Sequence, residues 1–193
     1  MIPFECGERA VRAARAAAVS ETGGKGASVL RDGVFGEPRG VFVTYSMYPS
    51  HDLRGCIGYP LPIMPLGEAL DGSARAACHD PRFPDLRRTE LDHLTVEVTV
   101  LTVPQTLDVP KAELSANIEL GRHGLILTCG RRRGLLLPQV PGEWGWDEHE
   151  YLENLSMKAG LPPDAWERPD ATIETFEGEI FHEISPNGEI ARG

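Results

Sequence analysis

The chain has 193 residues, 41% of them hydrophobic and 25% charged, and its formal net charge at pH 7 is -10. This length and composition suit one ordinary globular domain with its own hydrophobic core. The acidic balance disfavours nucleic acid as a partner, since binding to phosphate backbones relies on clustered lysine and arginine. Without an 18-residue apolar run or an apolar signal segment, the sequence predicts a cytoplasmic protein that does not enter a membrane.

The N-terminal part of the chain predicts a helix followed by two strands. Residues 8–19 are rich in alanine, which favours a helix, and the glycines within 23–26 interrupt it. β-Branched and aromatic residues at 41–45 are typical of a strand. A turn at 48–52 then leads into a second extended segment that begins at Leu53.

The next segments predict a helix, a stiff loop and a half-buried strand. Apolar residues at helical spacing after Pro65 indicate a helix that ends near Cys78. Two prolines within 79–84 exclude helical conformation there, because each restricts the residue before it. Residues 94–100 alternate strictly between apolar and polar side chains, which predicts a strand with one buried face.

The C-terminal half combines a hairpin, a capped helix and late strands. Two apolar runs within 125–137, joined by a glycine-bounded arginine cluster, predict a β-hairpin with the arginines on its turn. Residues 138–142 are predicted to be irregular. A helix is expected to begin at an Asp147 cap and to end at Gly160, and residues 171–183 predict a late strand or pair of strands.

The segment Leu53–Tyr59 carries the strongest candidate for chemistry. It places Cys56 between Gly55 and Gly58, with Arg54 two positions before the thiol. A guanidinium near a thiol favours the nucleophilic thiolate. The structural alternative is a buried cysteine beside glycines that only permit a bulge or close packing.

The four cysteines show no pattern of a disulfide framework or a zinc site. No C-x-x-C pair occurs, and an intracellular protein keeps its thiols free. We therefore predict free thiols, no metal ligands and no cofactor that the sequence identifies. A metal site gathered in space from dispersed histidines and Cys56 stays an open alternative.

Several motifs together resemble the AMMECR1 domain family. The resemblance covers residues 5–184 within a single predicted domain, 1–193, and leaves 185–193 as a loose tail. The motifs that carry it are Leu53–Gly58, Asp80–Pro84, Gly121–Leu125, Leu136–Val140, Glu143–Asp147 and Lys158–Trp166.

The resemblance implies an α+β fold with mixed or antiparallel sheets and flanking helices. It also implies a larger and a smaller lobe, with the arginine–cysteine motif lining the cleft between them. Prokaryotic relatives are often encoded beside a Memo-type metalloprotein and a radical-SAM protein. That association indicates small-molecule metabolism, with aromatic compounds as a candidate class and a Memo-like protein as a candidate partner.

One departure from the family pattern concerns a second thiol. Many prokaryotic relatives carry a cysteine just before the Lys-Ala-Gly-Leu-Pro-Pro segment, where this chain has Ser156. A mechanism that pairs two thiols is therefore in doubt for this chain. Single-cysteine chemistry at Cys56 is unaffected.

The leading hypothesis is an enzyme in which Cys56 attacks a small carbonyl compound or acts as an acid or base. Regular strand alternation would put Arg54 on the same face as Cys56, within reach of a substrate carboxylate. His123 is the candidate base, with a hydrogen-bonded loop histidine as its structural alternative. Glu143 is a candidate acid or base, or else a carboxylate stabilised at a helix N-terminus.

The candidate substrate-binding residues accompany these three catalytic candidates. Arg82 either contacts an anionic substrate or braces its loop against Asp80. Gln139 can orient a carbonyl group, and Trp146 can stack on an aromatic ligand or anchor its loop. Substrate-binding candidates are Arg54, Gly55, Gly58, Arg82, Gln139 and Trp146.

The alternative function is a non-catalytic ligand- or protein-binding module. In that case Arg54, Gly55 and Gly58 form an anion-binding backbone nest, and Cys56 is a buried structural residue. The substrate and the oligomeric state are left open by the sequence, with a homodimer as one possibility.

Overall fold

The computed structural model describes residues 1–26 and 28–193 and divides them into two compact units. The first unit contains Met1–Thr102 and Glu179–Gly193, and the second contains Val103–Gly178. Helices and open antiparallel sheets occur together, so the predicted α+β class is confirmed. No helix of the described residues is both long enough and apolar enough to span a bilayer.

Four α-helices and nine strands make up the regular structure of the described residues. They are α1 (Phe4–Glu21), β1 (Val41–Met47), β2 (Leu53–Tyr59), α2 (Leu66–Ala77), β3 (Leu94–Leu101), β4 (Gln105–Thr106), β5 (Gly124–Cys129), β6 (Arg132–Leu136), α3 (Val140–Trp144), α4 (Glu148–Lys158), β7 (Ala171–Phe176), β8 (Gly178–Glu183) and β9 (Ile190–Arg192).

The first unit is built on a five-stranded sheet in the order β2-β1-β3-β8-β9. Strand β1 pairs antiparallel with both β2 and β3. Because side chains alternate along a strand, Val41, Val43 and Tyr45 share one face, and all three are fully buried. That face forms one apolar cluster with the buried stripes of α1 and α2. The opposite face carries Phe42 and Thr44, which are half-buried.

A buried ion pair lies inside the first unit, between α1 and β8. The Arg15 guanidinium donates to both carboxylate oxygens of Glu183, with a distance of 2.6 Å from Nε to Oε1. It also donates to the carbonyl oxygens of Leu91 and Leu94, at 3.0 and 2.7 Å. The backbone N–H of Val96 donates to Glu183 Oε2 at 3.2 Å. These bonds compensate the cost of placing two charges in an apolar core.

The second unit is a four-stranded antiparallel sheet in the order β4-β7-β5-β6, covered by α4. The predicted capping box is confirmed: the N–H of Glu150 donates to Asp147 Oδ1 at 2.8 Å, and that of Asp147 donates to Glu150 Oε2 at 3.0 Å. Tyr151 is fully buried, and its hydroxyl donates to the carbonyl oxygens that end β6.

Two predictions of local structure need correction. Helix α3 begins inside the segment predicted to be irregular, 138–142, and the αL residue Gly145 ends that helix. The predicted late pair of strands is confirmed, and β7 and β8 belong to different sheets. The tail 185–193 is not loose throughout, because β9 pairs with β8 and Ile190 is buried.

We expect Arg15→Ala to lower the free energy of unfolding by about 3 kcal/mol, because the buried Glu183 carboxylate keeps only the half-exposed Arg12, 3.7 Å away, as a cationic partner. Urea denaturation followed by circular dichroism measures this loss. The control is Arg9→Ala, which removes an exposed pair with Asp32 and should have little effect. Equal stability of the two variants would contradict the assigned role of the buried pair.

Candidate active site

The thiol of Cys56 lies next to a hydroxyl group on the neighbouring strand. Cys56 on β2 is the register partner of Thr44 on β1, and both side chains are half-buried. Thr44 Oγ1 donates a hydrogen bond to Cys56 Sγ at 3.2 Å. This contact fixes the position of the sulfur on the face of the sheet that carries Thr44.

The backbone of Cys56 is held from outside the sheet by the loop after α2. Strand β2 is an edge strand, so the outward-facing groups of Cys56 lack a strand partner. Its N–H donates to Asp80 Oδ2 at 2.9 Å, and its carbonyl oxygen accepts from Arg82 Nη2 at 3.3 Å. Because these groups point away from β1, Cys56 and Thr44 form a non-hydrogen-bonded pair, the kind whose side chains lie closest.

Asp80 is a buried carboxylate with a full set of donors. Its side chain is 1% exposed, and Arg82 donates to it through both Nε and Nη2, at 3.0 and 2.6 Å. The Arg82 contacts hold the pKa of Asp80 far below its usual range, with help from the N–H groups of Cys56 and Arg82 and against the effect of burial. Asp80 therefore stays ionised and acts as a fixed acceptor.

Arg82 has the structural role that was predicted as an alternative, and its contact with an anionic substrate stays a prediction. It braces its loop through Asp80, as the structural alternative held, and its guanidinium also reaches the Cys56 carbonyl. Its side chain is 56% exposed. A half-free guanidinium beside the thiol is thus available to an anionic group.

Arg54 does not follow the regular alternation of its strand. The β1–β2 register shifts after Tyr45, so Tyr45 pairs with Gly55 and Ser46 pairs with Leu53, which leaves Arg54 as an extra residue. Its guanidinium donates to Glu90 through Nε at 2.8 Å and Nη2 at 3.2 Å. The regular alternation that would place Arg54 on the same face as Cys56 is therefore interrupted, and Arg54 pairs with Glu90. Its role in binding substrate stays a prediction.

The two glycines of the motif are required by close packing. A Cβ on Gly55 would lie 2.2 Å from the carbonyl oxygen of Ala77, at the end of α2. A Cβ on Gly58 would lie 2.4 Å from the ring of Phe42 and from the Val41 carbonyl oxygen. Neither of these strand glycines has a positive φ angle, in contrast to several glycines elsewhere in the chain. Their role in binding substrate stays a prediction, whereas their role in packing is explained.

Two titratable residues that are not among the predicted site residues lie on the same face of the first sheet as Cys56, opposite the apolar core. Glu97 on β3 is the register partner of Thr44, so Cys56, Thr44 and Glu97 occupy adjacent positions on three neighbouring strands. His182 follows on β8, facing away from the buried Phe181 and Glu183. Burial raises the pKa of Glu97, and the nearby His182 charge lowers it. The strict alternation of residues 94–100 in the sequence also predicts that Glu97 lies on this face, opposite the apolar side chains.

The other catalytic and binding candidates belong to the second unit. His123 is a half-buried loop residue whose Nδ1 accepts a hydrogen bond from the N–H of Glu119 at 3.1 Å. Glu143 is exposed on α3, and Gln139 is exposed at the start of that helix. Trp146 stacks on Trp144, with ring centroids 6.0 Å apart. Their participation in a site with Cys56 stays a prediction.

The residue at the position where many prokaryotic relatives carry a second cysteine also lies in the second unit. Ser156 is fully buried in α4, and its hydroxyl donates to the Leu152 carbonyl oxygen at 3.1 Å. All four cysteines are free. Among residues 1–26 and 28–193 no group of three or more His, Cys, Asp or Glu side chains is arranged to hold a metal ion.

Sequence and structure comparisons identify the family. The AMMECR1 family model matches residues 9–181. The chain belongs to the AMMECR1 family. Protein MJ0810 of Methanocaldococcus jannaschii is 49% identical to it, over 98% of this chain and 96% of that protein. A protein of Methanocella arvoryzae is 54% identical over 81% of this chain and 79% of its own length.

A solved structure supports the fold of this AMMECR1-family chain. The crystal structure of the uncharacterized protein PH0010 from Pyrococcus horikoshii matches it with a TM-score of 0.77 and 46% sequence identity. The match covers 98% of this chain and 97% of the other. The family resemblance carried by the motifs is therefore confirmed.

We expect Asp80→Asn to destabilise the protein by about 2–3 kcal/mol at neutral pH, because it removes the charge from a set of hydrogen bonds. The native pKa is lowered, so this stabilisation is present above the unfolded pKa of about 3.9 and is lost as pH falls below it. Urea denaturation between pH 3 and pH 7 measures the difference between wild type and variant.

The matched control is Asp85→Asn, which changes an aspartate whose side chain is 78% exposed. We expect it to cost little at any pH in this range. A stability difference for Asp80→Asn that grows as the pH falls towards 3 would contradict the assigned charge state of Asp80.

Proposed function

We propose that this AMMECR1-family chain is an enzyme in which Cys56 forms a covalent adduct with a small carbonyl compound. The observation that carries the proposal is the 3.2 Å hydrogen bond from Thr44 Oγ1 to Cys56 Sγ. The backbone N–H and the carbonyl oxygen of this cysteine are also both held by hydrogen bonds. A cysteine that only fills space needs neither a donor to its sulfur nor a carboxylate that binds its N–H. A nucleophile needs both activation and a fixed position.

The chemistry is an addition of the thiol across a carbonyl double bond. The thiol gives up its proton as a sulfur electron pair forms a C–S bond with the carbonyl carbon, and the π electron pair moves to the oxygen. That oxygen takes up one proton, and the product is a hemithioacetal. No electrons are gained or lost, so the step needs neither an oxidant nor a reductant.

Two neighbours of Cys56 support an aromatic substrate that carries a negative charge. The Phe42 ring covers Gly58, which is two residues from Cys56 on the same face of the strand, and so offers an aromatic surface. The exposed part of the Arg82 guanidinium offers a partner for a carboxylate. These contacts favour aromatic carbonyl compounds. The proteins encoded beside prokaryotic relatives suggest the same substrate class.

Cooperation with a Memo-type protein stays a prediction, as do a homodimer and a cytoplasmic location. One feature of the second unit supports a binding partner. Trp144 is 70% exposed although it stacks on Trp146, so a large aromatic surface faces outwards. Such a surface suits either a protein partner or a stacked aromatic ligand.

The proposal predicts an adduct at Cys56 with aromatic aldehydes. Benzaldehyde and 4-carboxybenzaldehyde, each labelled with ¹³C at the aldehyde carbon, should give a hemithioacetal signal in the ¹³C spectrum of the wild type. Cys56→Ser should abolish the signal. Thr44→Val should slow adduct formation by roughly tenfold, because it removes one hydrogen bond to a charged group.

Cys6→Ser is the control, since Cys6 is the other half-buried cysteine of the first unit. It should leave the signal unchanged. A signal that persists in Cys56→Ser would assign the chemistry to another group. The absence of any signal in the wild type would favour the binding module, in which Cys56 only fills space.

A further inference from the structure

Glu97 is a half-buried carboxyl group whose surroundings do not explain its presence. It faces Thr44 across the β1–β3 pairing, on the side of the sheet that carries Cys56. Within residues 1–26 and 28–193 its side chain makes no hydrogen bond or ion pair, unlike the other carboxyl groups around Cys56, namely Asp80 and Glu90. Partial burial without a partner costs stability, so a structural role does not account for this residue.

The charge state of Glu97 differs from that of the other two carboxyl groups. Arg82 and Arg54 lower the pKa values of Asp80 and Glu90, which therefore stay ionised and cannot supply a proton. Burial raises the pKa of Glu97 instead. Of these three carboxyl groups, Glu97 is the one whose surroundings favour the protonated form.

The spacing across the sheet fits a substrate held between the two groups. Neighbouring strands lie about 4.8 Å apart, so the backbones at Cys56 and Glu97 are separated by about 10 Å, with Thr44 between them. Both side chains project from the same face. A carbonyl group above Thr44 can place its carbon against the sulfur and its oxygen within hydrogen-bonding reach of the longer Glu97 side chain.

We propose that Glu97 is the catalytic acid and base of the Cys56 reaction. This inference rests on the proposed function. The thiol releases its proton to solvent as the C–S bond forms, while the Glu97 carboxylic acid gives its own proton to the carbonyl oxygen and becomes a carboxylate. When the adduct breaks down, the carboxylate takes that proton back, the C–S bond electrons return to sulfur, which regains a proton from solvent, and the carbonyl group is restored.

The test compares two reactions of Cys56 in the full-length chain. Adduct formation with 4-carboxybenzaldehyde needs a proton on the carbonyl oxygen, whereas alkylation by iodoacetamide does not. We expect Glu97→Gln to slow adduct formation about 100-fold or more and to change the alkylation rate less than about threefold. Glu113→Gln, at an exposed glutamate of the second unit, is the matched control and should change neither rate.

The pH profile adds a readout that a structural role would not produce. In the wild type, the rate of adduct formation should fall as the pH rises through the pKa of Glu97, because the acid form is then lost. Glu97→Gln should lack this fall.

The outcomes separate this inference from the proposed function. If the wild type forms no adduct at Cys56, the proposed function fails and the role of Glu97 fails with it. If the wild type forms the adduct and Glu97→Gln matches its rate and pH profile, only the role of Glu97 is overturned. Equal loss of alkylation and adduct formation in Glu97→Gln would also overturn it, since the residue would then act on the thiol or on the fold.

Discussion

The buried carboxylate of Asp80 is the constraint on which the candidate site depends. It occupies the edge of the first sheet, where a strand would otherwise present unpaired backbone groups to solvent or to another chain. Together with Arg82 it binds both outward-facing groups of Cys56 without extending the sheet. The Asp80–Arg82 ion pair therefore satisfies the backbone groups of this edge at Cys56, and the same contacts position the thiol.

This arrangement changes the meaning of the arginine–glycine–cysteine motif. Gly55 allows the end of α2 to approach β2, and Arg54 is directed to Glu90 by the bulge. Both residues thus fix the position of the strand. In the proposed reaction, Cys56 of this motif is assisted by groups from other elements: Thr44 from β1, Glu97 from β3 and Arg82 from the loop.

The sequence predicted the elements whose signals are local. Helix α2 follows Pro65 and stops before the two prolines, and the capping box at Asp147 determines where α4 begins. Alternation within 94–100 predicted both the strand and its two faces. The family resemblance was equally accessible, because it rests on contiguous motifs.

What the sequence left out depends on contacts between distant segments. The bulge at Arg54 arises from pairing between two strands, and strict alternation within one strand does not reveal it. The assignment of β7 and β8 to different sheets depends on where the chain passes from one unit to the other, at a point without a proline or a run of glycines. Thr44 and Glu97 gain significance only once the register places them beside Cys56.

Because the second unit is inserted within the first, the first unit can be completed only after the second has been synthesised. Arg15 is made early, but its partner Glu183 follows 168 residues later, when the second unit is already complete. The second unit is continuous in sequence and can fold as the ribosome releases it. Until residues 179–193 emerge, β3 lacks its neighbour β8 and remains an open sheet edge beside an uncompensated charge. The nascent chain is therefore most exposed to aggregation in the interval between the completion of the second unit and the emergence of residues 179–193.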